Sequence, residues 1–129
     1  LIQFDAHCDT WDDDGAQLDH GTMFLRAARE GIIDVGKSTQ VGLRTFNDQD
    51  FGFEILTSPW IHRNGIDAAI QVARDRAGDA PVYISFDVDG MDPAYAPGVS
   101  HHETGGLSTR DVNTVIQKLN VPIVGDDIV

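Results

Sequence analysis

Val82-Tyr83-Ile84-Ser85-Phe86 runs straight into Asp87-Val88-Asp89-Gly90. The first five residues are β-branched, aromatic or small, and they read as a strand. Two carboxylates then stand at its carboxyl end. The amino-terminal stretch has the same form: Leu1-Ile2-Gln3-Phe4 is followed by Asp5-Ala6-His7-Cys8-Asp9. Ser38 to Leu43 reads as a further strand, and another begins near Val121. Between them lie helical stretches. One runs from about Thr22 to Glu30 and stops at Gly31. One runs from an Asn64 N-cap to about Ala77, with Ile66, Ile70 and Ala73 on one face. A third opens at Ser108, where Asp111 three residues on resembles a capping box. Residues 45 to 63 are ambiguous: Phe51 to Leu56 is short, and Pro59 breaks the run. Strands alternating with helices predict an α/β protein with a parallel sheet and helices on both faces.

The length of 129 residues fits one domain with a real core. The chain has no initiator Met and opens and closes inside apolar runs. It is therefore expected to be an internal piece of a longer protein. Lys and Arg total 9 against 21 Asp and Glu, a formal charge of −12. That sign argues against binding nucleic acid by neutralising phosphates, and against an anionic membrane surface. Its single cysteine, Cys8, can form no internal disulfide, and no apolar run is long enough to cross a bilayer, so the cytoplasm is the expected compartment.

The two Asp motifs carry the chemistry. Side chains alternate along an extended chain, so Asp5, His7 and Asp9 are expected to point one way, with Ala6 and Cys8 pointing the other. Asp87 and Asp89 share a side by the same rule. Ligands of open α/β sheets bind beyond the carboxyl ends of the strands, where both motifs lie. Four carboxylates and an imidazole gathered there would be costly to desolvate. Two divalent cations would offset that charge, and oxygen with imidazole ligation suits Mn before Fe, Co, Zn or Mg. Read alone, Asp5-x-His7-x-Asp9 could be a solvated turn. A calcium loop at Asp87 fails because the oxygen pattern breaks at Gly90 and Pro93.

These motifs come in a telling order. Asp5–Asp9 is followed by Asp19-His20-Gly21-Thr22-Met23-Phe24 and Val41-Gly42-Leu43-Arg44-Thr45. Then come Ser85–Pro93, Ala96-Pro97-Gly98 and Gly105-Gly106-Leu107. Together they resemble the ureohydrolases, the family of arginase, agmatinase and guanidinobutyrase, and the Asp19–Phe24 segment points to the agmatinase branch. The resemblance implies an arginase-like three-layer α/β/α fold, with residues 1–129 as the central part of a single domain that is incomplete at both ends. It also implies two Mn ions: Asp5 and Asp87 would bridge them, His7 and Asp89 would complete one shell, and Asp9 would bind the other ion. Asp9 would then pass a proton to the leaving amine, and His20 would shuttle protons at the mouth or, alternatively, only help to position a helix start. The implied reaction turns a small cationic guanidino substrate, agmatine first, into urea and an amine such as putrescine. Guanidino acids, a related single-metal deacetylase and a non-catalytic metal-binding member stay open. The resemblance further implies a homo-oligomer, trimer or hexamer. A further ligand histidine in a Gly-Gly-Asp-His segment, and a glutamate that grips the guanidinium, are expected outside this chain, which is therefore expected to be inactive or poorly folded by itself.

Some features stay unassigned. Val99-Ser100-His101-His102-Glu103-Thr104 departs from the Gly-Thr-Pro type of sequence common in agmatinases, and is either a specificity loop or ordinary surface. Cys8 reads as a small buried hydrophobe. Asp12, Asp13 and Asp14 read as a solvated loop. Arg44 is expected to pair with a carboxylate or to serve subunit contacts.

Overall fold

The computed structural model describes residues 1–12 and 18–129. Five strands form one parallel sheet: β1 (Ile2–Phe4), β2 (Thr39–Val41), β3 (Glu54–Leu56), β4 (Val82–Phe86) and β5 (Ile123–Ile128). Their spatial order is β3-β2-β1-β4-β5. From β1 the chain steps outward to β2 and β3, then returns to place β4 on β1's other side. The space beyond the carboxyl ends of β1 and β4 is thus the point where the direction of winding reverses, and ligand crevices of open sheets form there.

The helices are α1 (Met23–Arg29), α2 (Ser58–Asn64), α3 (Ile66–Ala77) and α4 (Thr109–Lys118). On one face of the sheet Ile2, Phe4, Val41 and Leu56 pack with Ile61 of α2, Ala69, Ile70 and Ala73 of α3, and Val115 of α4. The rings of Phe4 and Phe86 lie 5.6 Å apart within this layer. Burying a side chain such as Phe4 stabilises the fold by about 1.5–3 kcal/mol. The β1-to-β2 and β4-to-β5 connections run in opposite directions, so right-handed crossovers put α1 on the face opposite α4. That second face carries Gln3 and Gln40, and the Cys8 carbonyl leading toward α1 accepts a hydrogen bond from Gln40 Nε2. Among the described residues no helix is long and apolar enough to cross a membrane.

The parallel α/β class holds, and Gly31 does close α1: it has φ +72°, and its N–H bonds the Ala28 carbonyl. Several boundaries differ. The Ser38–Leu43 stretch narrows to Thr39–Val41 because Gly42 turns the chain at φ +101°, with space for its missing Cβ only 3.1 Å from the Asp5 carbonyl oxygen. Pro59 opens a helix instead of breaking a strand: it sits in the first turn of α2, where a missing N–H costs nothing, and Thr57 caps Trp60 N. Asn64 is not an N-cap. It ends α2, its amide bonds the Trp60 carbonyl, and Gly65 at φ +87° separates α2 from α3. Ser108 and Asp111 form the reciprocal capping box of α4.

Candidate metal centre

Asp5 follows β1 directly, and Asp87 follows β4. Phe4 and Phe86 are register partners, and the Asp87 N–H bonds the Phe4 carbonyl at 2.9 Å, so the two motifs start side by side. Neither motif continues as an extended chain. The Asp5 carboxylate accepts from His7 N at 2.6 Å, folding the backbone back within two residues. Asp9 lies at φ +51°, and Asp87 caps a 3-10 turn over Val88–Gly90 by accepting from Asp89 N at 2.8 Å. The side chains therefore converge through turns, and strand alternation is not what brings them together.

Asp5, His7 and Asp89 each offer a ligand atom, all within 4.8 Å of one another. His7 Nδ1 is 3.1 Å from Asp89 Oδ2 and 3.5 Å from Asp5 Oδ1. Asp89 Oδ1 accepts from Ala6 N at 3.1 Å, crossing from one motif to the other. Gly90 makes this closeness possible, because a Cβ there would lie 3.0 Å from Asp5 N and 3.2 Å from its Cα. The Asp9 carboxylate faces the charges of Asp87 and Asp89.

Burial is the first cause of the site's electrostatics. It pushes the Asp5 carboxyl up to about 9, with the Asp9 charge adding and hydrogen bonds from His7 and Gln3 opposing. Asp9 rises to about 7, through burial and then the Asp87 charge, with His20 pulling the other way. Asp87 is also raised, again by burial first. Without a cation Asp5 would hold a proton at neutral pH, and Asp9 would hold one part of the time. A site of clustered carboxylate oxygens and one imidazole, with too much negative charge for its burial, fits divalent ions.

The site opens into a cleft of about 610 Å³, lined by His7, Asp9, Asp87 and Asp89 together with Trp11, His20, Met23, Val99 and His101. Asp5 lies beneath it. His20 is exposed, and its ring stacks at 6.2 Å on His101, whose edge-to-face contact with His7 is 5.8 Å. Asp19, not His20, closes the turn before α1, by accepting from Gly21 N. A cleft of similar volume, about 600 Å³, lies beside Arg74, Asp75, Asp79 and Asn120, away from both motifs.

Of His101, His102 and Glu103, only His101 reaches the cleft; His102 Nε2 lies 2.9 Å from the Pro97 carbonyl, which holds the loop. Cys8 is fully buried. Asp12 pairs with Arg29 at 2.6 Å, whereas Asp13 and Asp14 lie outside the described residues. The Arg44 guanidinium binds backbone carbonyls and forms none of the ion pairs found among the described residues, so the carboxylate pairing expected of it is not seen, although the charges of Asp89, Glu103 and Asp92 act on it. Two further residues were missed in the sequence. Gln3 Nε2 donates to Asp5 Oδ2 at 2.8 Å, and Gln40 Nε2 donates to Gln3 Oε1 at 2.7 Å. Their sequence signal is partial: each is a polar residue inside a strand-like run, and only the register of β1 and β2 sets the two side by side.

A model of the arginase family matches residues 1–129. The chain belongs to the arginase family. Within it, the chain is similar to an agmatinase of Chromobacterium violaceum, 50% identical over all of this chain and 41% of that protein. Among solved structures it is similar to a hypothetical agmatinase from Burkholderia thailandensis, at TM-score 0.95 and 43% identity over 99% of this chain and 41% of that one. It is also similar to the proclavaminate amidino hydrolase of Streptomyces clavuligerus, at TM-score 0.90 and 32% identity over 98% of this chain and 44% of that one. The chain thus spans about two-fifths of the length of these arginase-family relatives.

Proposed function

We propose that residues 1–129 are the central part of a single ureohydrolase domain, and that the full-length protein hydrolyses a guanidino compound, agmatine first, to urea and an amine. The observation that carries this reading is the convergence of Asp5, His7 and Asp89 beneath a cleft that Asp9 and Asp87 also line, in a chain half identical to an agmatinase. Two Mn ions would be held by Asp5, His7, Asp9, Asp87 and Asp89. Bound there, they would offset the carboxylate charge and lower the pKa of a water.

The chain's own groups then divide the remaining work. A guanidinium carbon is a poor electrophile because resonance spreads its charge. The chain's net charge of −12 steers a cation toward the cleft, whose walls hold its carbon near the ligand residues. Asp9 takes up the proton of the attacking water and delivers it to the leaving amine nitrogen. His20, exposed at the mouth, exchanges protons with solvent. Agmatine is favoured over guanidino acids because, among the described residues that line the cleft, there is no Lys or Arg to receive a carboxylate tail. The buried, lone Cys8 is compatible with a reducing compartment such as the cytoplasm. By the same resemblance we propose a homo-oligomer, trimer or hexamer, with neither nucleic acid nor membrane as partner.

The test is urea release by the full-length protein loaded with Mn, against agmatine, 4-guanidinobutyrate and arginine. Preference for agmatine is the expected result. Preference for 4-guanidinobutyrate would move the reading to a guanidino-acid hydrolase, and no urea from any of them with two Mn bound would overturn it.

A further inference from the structure

Arg44 joins three pieces of the site. Its backbone N–H bonds the carbonyl of Ala6, between Asp5 and His7, at 3.0 Å. Its Nη2 donates to the carbonyls of Asp89 at 2.6 Å and Met91 at 3.1 Å, and Nη1 donates to those of Gly90 at 3.2 Å and Gly42 at 3.1 Å. Nε and Nη2 both donate to the carbonyl of Glu103, at 3.1 and 2.7 Å. The planar guanidinium therefore spans the turn that carries Asp89 and the loop that carries His101. A planar fork of five N–H groups does this, the two on Nη2 being shared among three carbonyls; an ammonium group is a point charge with three donors on a flexible stem. Gly106 keeps room for the fork, since a Cβ there would lie 2.7 Å from Nη2. His101 stands two residues before the clamped carbonyl, with its ring on those of His7 and His20.

We propose that Arg44 is a positioning residue for the site: by holding the Glu103 carbonyl against those of Asp89, Gly90 and Met91, it fixes the Asp89 turn for metal binding and sets His101 as the wall that selects the substrate's tail. The part concerning the tail rests on the guanidino-hydrolase reading; the part concerning the metal does not. Residues that orient metal ligands typically change metal affinity or activity by about 10–100-fold when altered.

The test uses the full-length protein with Arg44→Lys, Arg44→Gln, His101→Asn and the double variant Arg44→Lys/His101→Asn. Folding is followed by circular dichroism and Tm. Mn affinity is measured by calorimetry without substrate, and kcat and KM are measured on agmatine and 4-guanidinobutyrate. The expected result is a folded Arg44→Lys protein that binds Mn about 10-fold more weakly, with Arg44→Gln weaker still. Arg44→Lys and His101→Asn should shift the ratio of kcat/KM for the two substrates in the same direction. In the double variant the two shifts should not add, because both act through one ring. Wild-type Mn affinity together with additive selectivity shifts in a folded Arg44→Lys protein would overturn the proposal. So would failure of both Arg44 variants to fold, since Arg44 would then serve the fold and not the site. A wild-type protein that binds Mn but releases no urea would sink the guanidino reading, and the Mn affinities alone would then decide on Arg44.

Discussion

Both oxygens of Asp5 accept hydrogen bonds, from His7 N and Gln3 Nε2, yet burial still drives its carboxyl up to about 9 and that of Asp9 to about 7. Both values lie above those of the unfolded chain, near 3.9. The folded, metal-free protein therefore binds more protons than the unfolded one, and these groups stabilise it most below pH 4. Their contribution falls as pH rises through 7 and 9. The Tm of the metal-free full-length protein should thus decline between pH 5 and pH 8.5. Saturating Mn should flatten or reverse the decline, because the ions replace the protons. A metal-free Tm that climbs over that range would contradict the assignment. Gln3 gives a second check at this scale. Gln3→Leu keeps a residue of similar size in β1 but removes the donor to Asp5 and the acceptor of Gln40 Nε2, and should weaken Mn binding about 10-fold and also lower Tm, because it leaves a buried Gln40 N–H unpaired. The acids themselves were legible in the sequence, since their residue types and order at two strand ends leave few other readings. Gln3 and Gln40 were not singled out, because a lone polar residue in a strand only becomes a relay when the parallel register sets the two side by side.

At the scale of elements, caps and turns have different duties. Ser108 caps α4 through its reciprocal bonds with Asp111 and offers no group to the Asp5, His7 and Asp89 cluster. Ser108→Ala should cost about 1 kcal/mol of stability, read as a lower Tm, and leave Mn affinity unchanged. Gly90 ends the 3-10 turn after β4, and any Cβ there meets the Asp5 backbone. Gly90→Ala should push the two motifs apart and weaken Mn binding by far more than its fall in Tm would suggest, as titration calorimetry on the two variants side by side would reveal. The capping box was visible in the sequence because its signal is local. The turns were not, because period-two alternation describes a strand, and β1 and β4 stop one residue before their acids. Asn64 and Pro59 failed in the same way: each is a helix-boundary signal, and only the Gly65 break decides which helix the signal belongs to.

For the whole molecule, the alternation of strands and helices in sequence was enough to predict a parallel sheet. The order β3-β2-β1-β4-β5 was not readable there, because the return from β3 to β4 leaves no local mark. That order has a consequence at β5. Among the described residues it pairs with β4 alone, and it exposes Ile123 by 53%, Val124 by 70% and Ile128 by 72%, with Val129 just past its end exposed by 64%. An apolar edge strand with a free row of backbone groups is a template for pairing with another chain. The chain's net charge of −12 opposes association only through long-range repulsion, which salt screens. The isolated 129-residue chain should therefore self-associate as ionic strength rises, and sedimentation velocity at low and high salt would measure it. Val124→Lys, which places a charge on the exposed strand, should suppress the association without moving the Asp5, His7 and Asp89 site. In the full-length protein the same strand should be covered, so that backbone amides of residues 123–128 exchange hydrogen more slowly there than in the isolated chain. Equal exchange in the two, or an isolated chain that stays monomeric in high salt, would mean that β5 is a tolerated edge and that the remaining chain lies elsewhere.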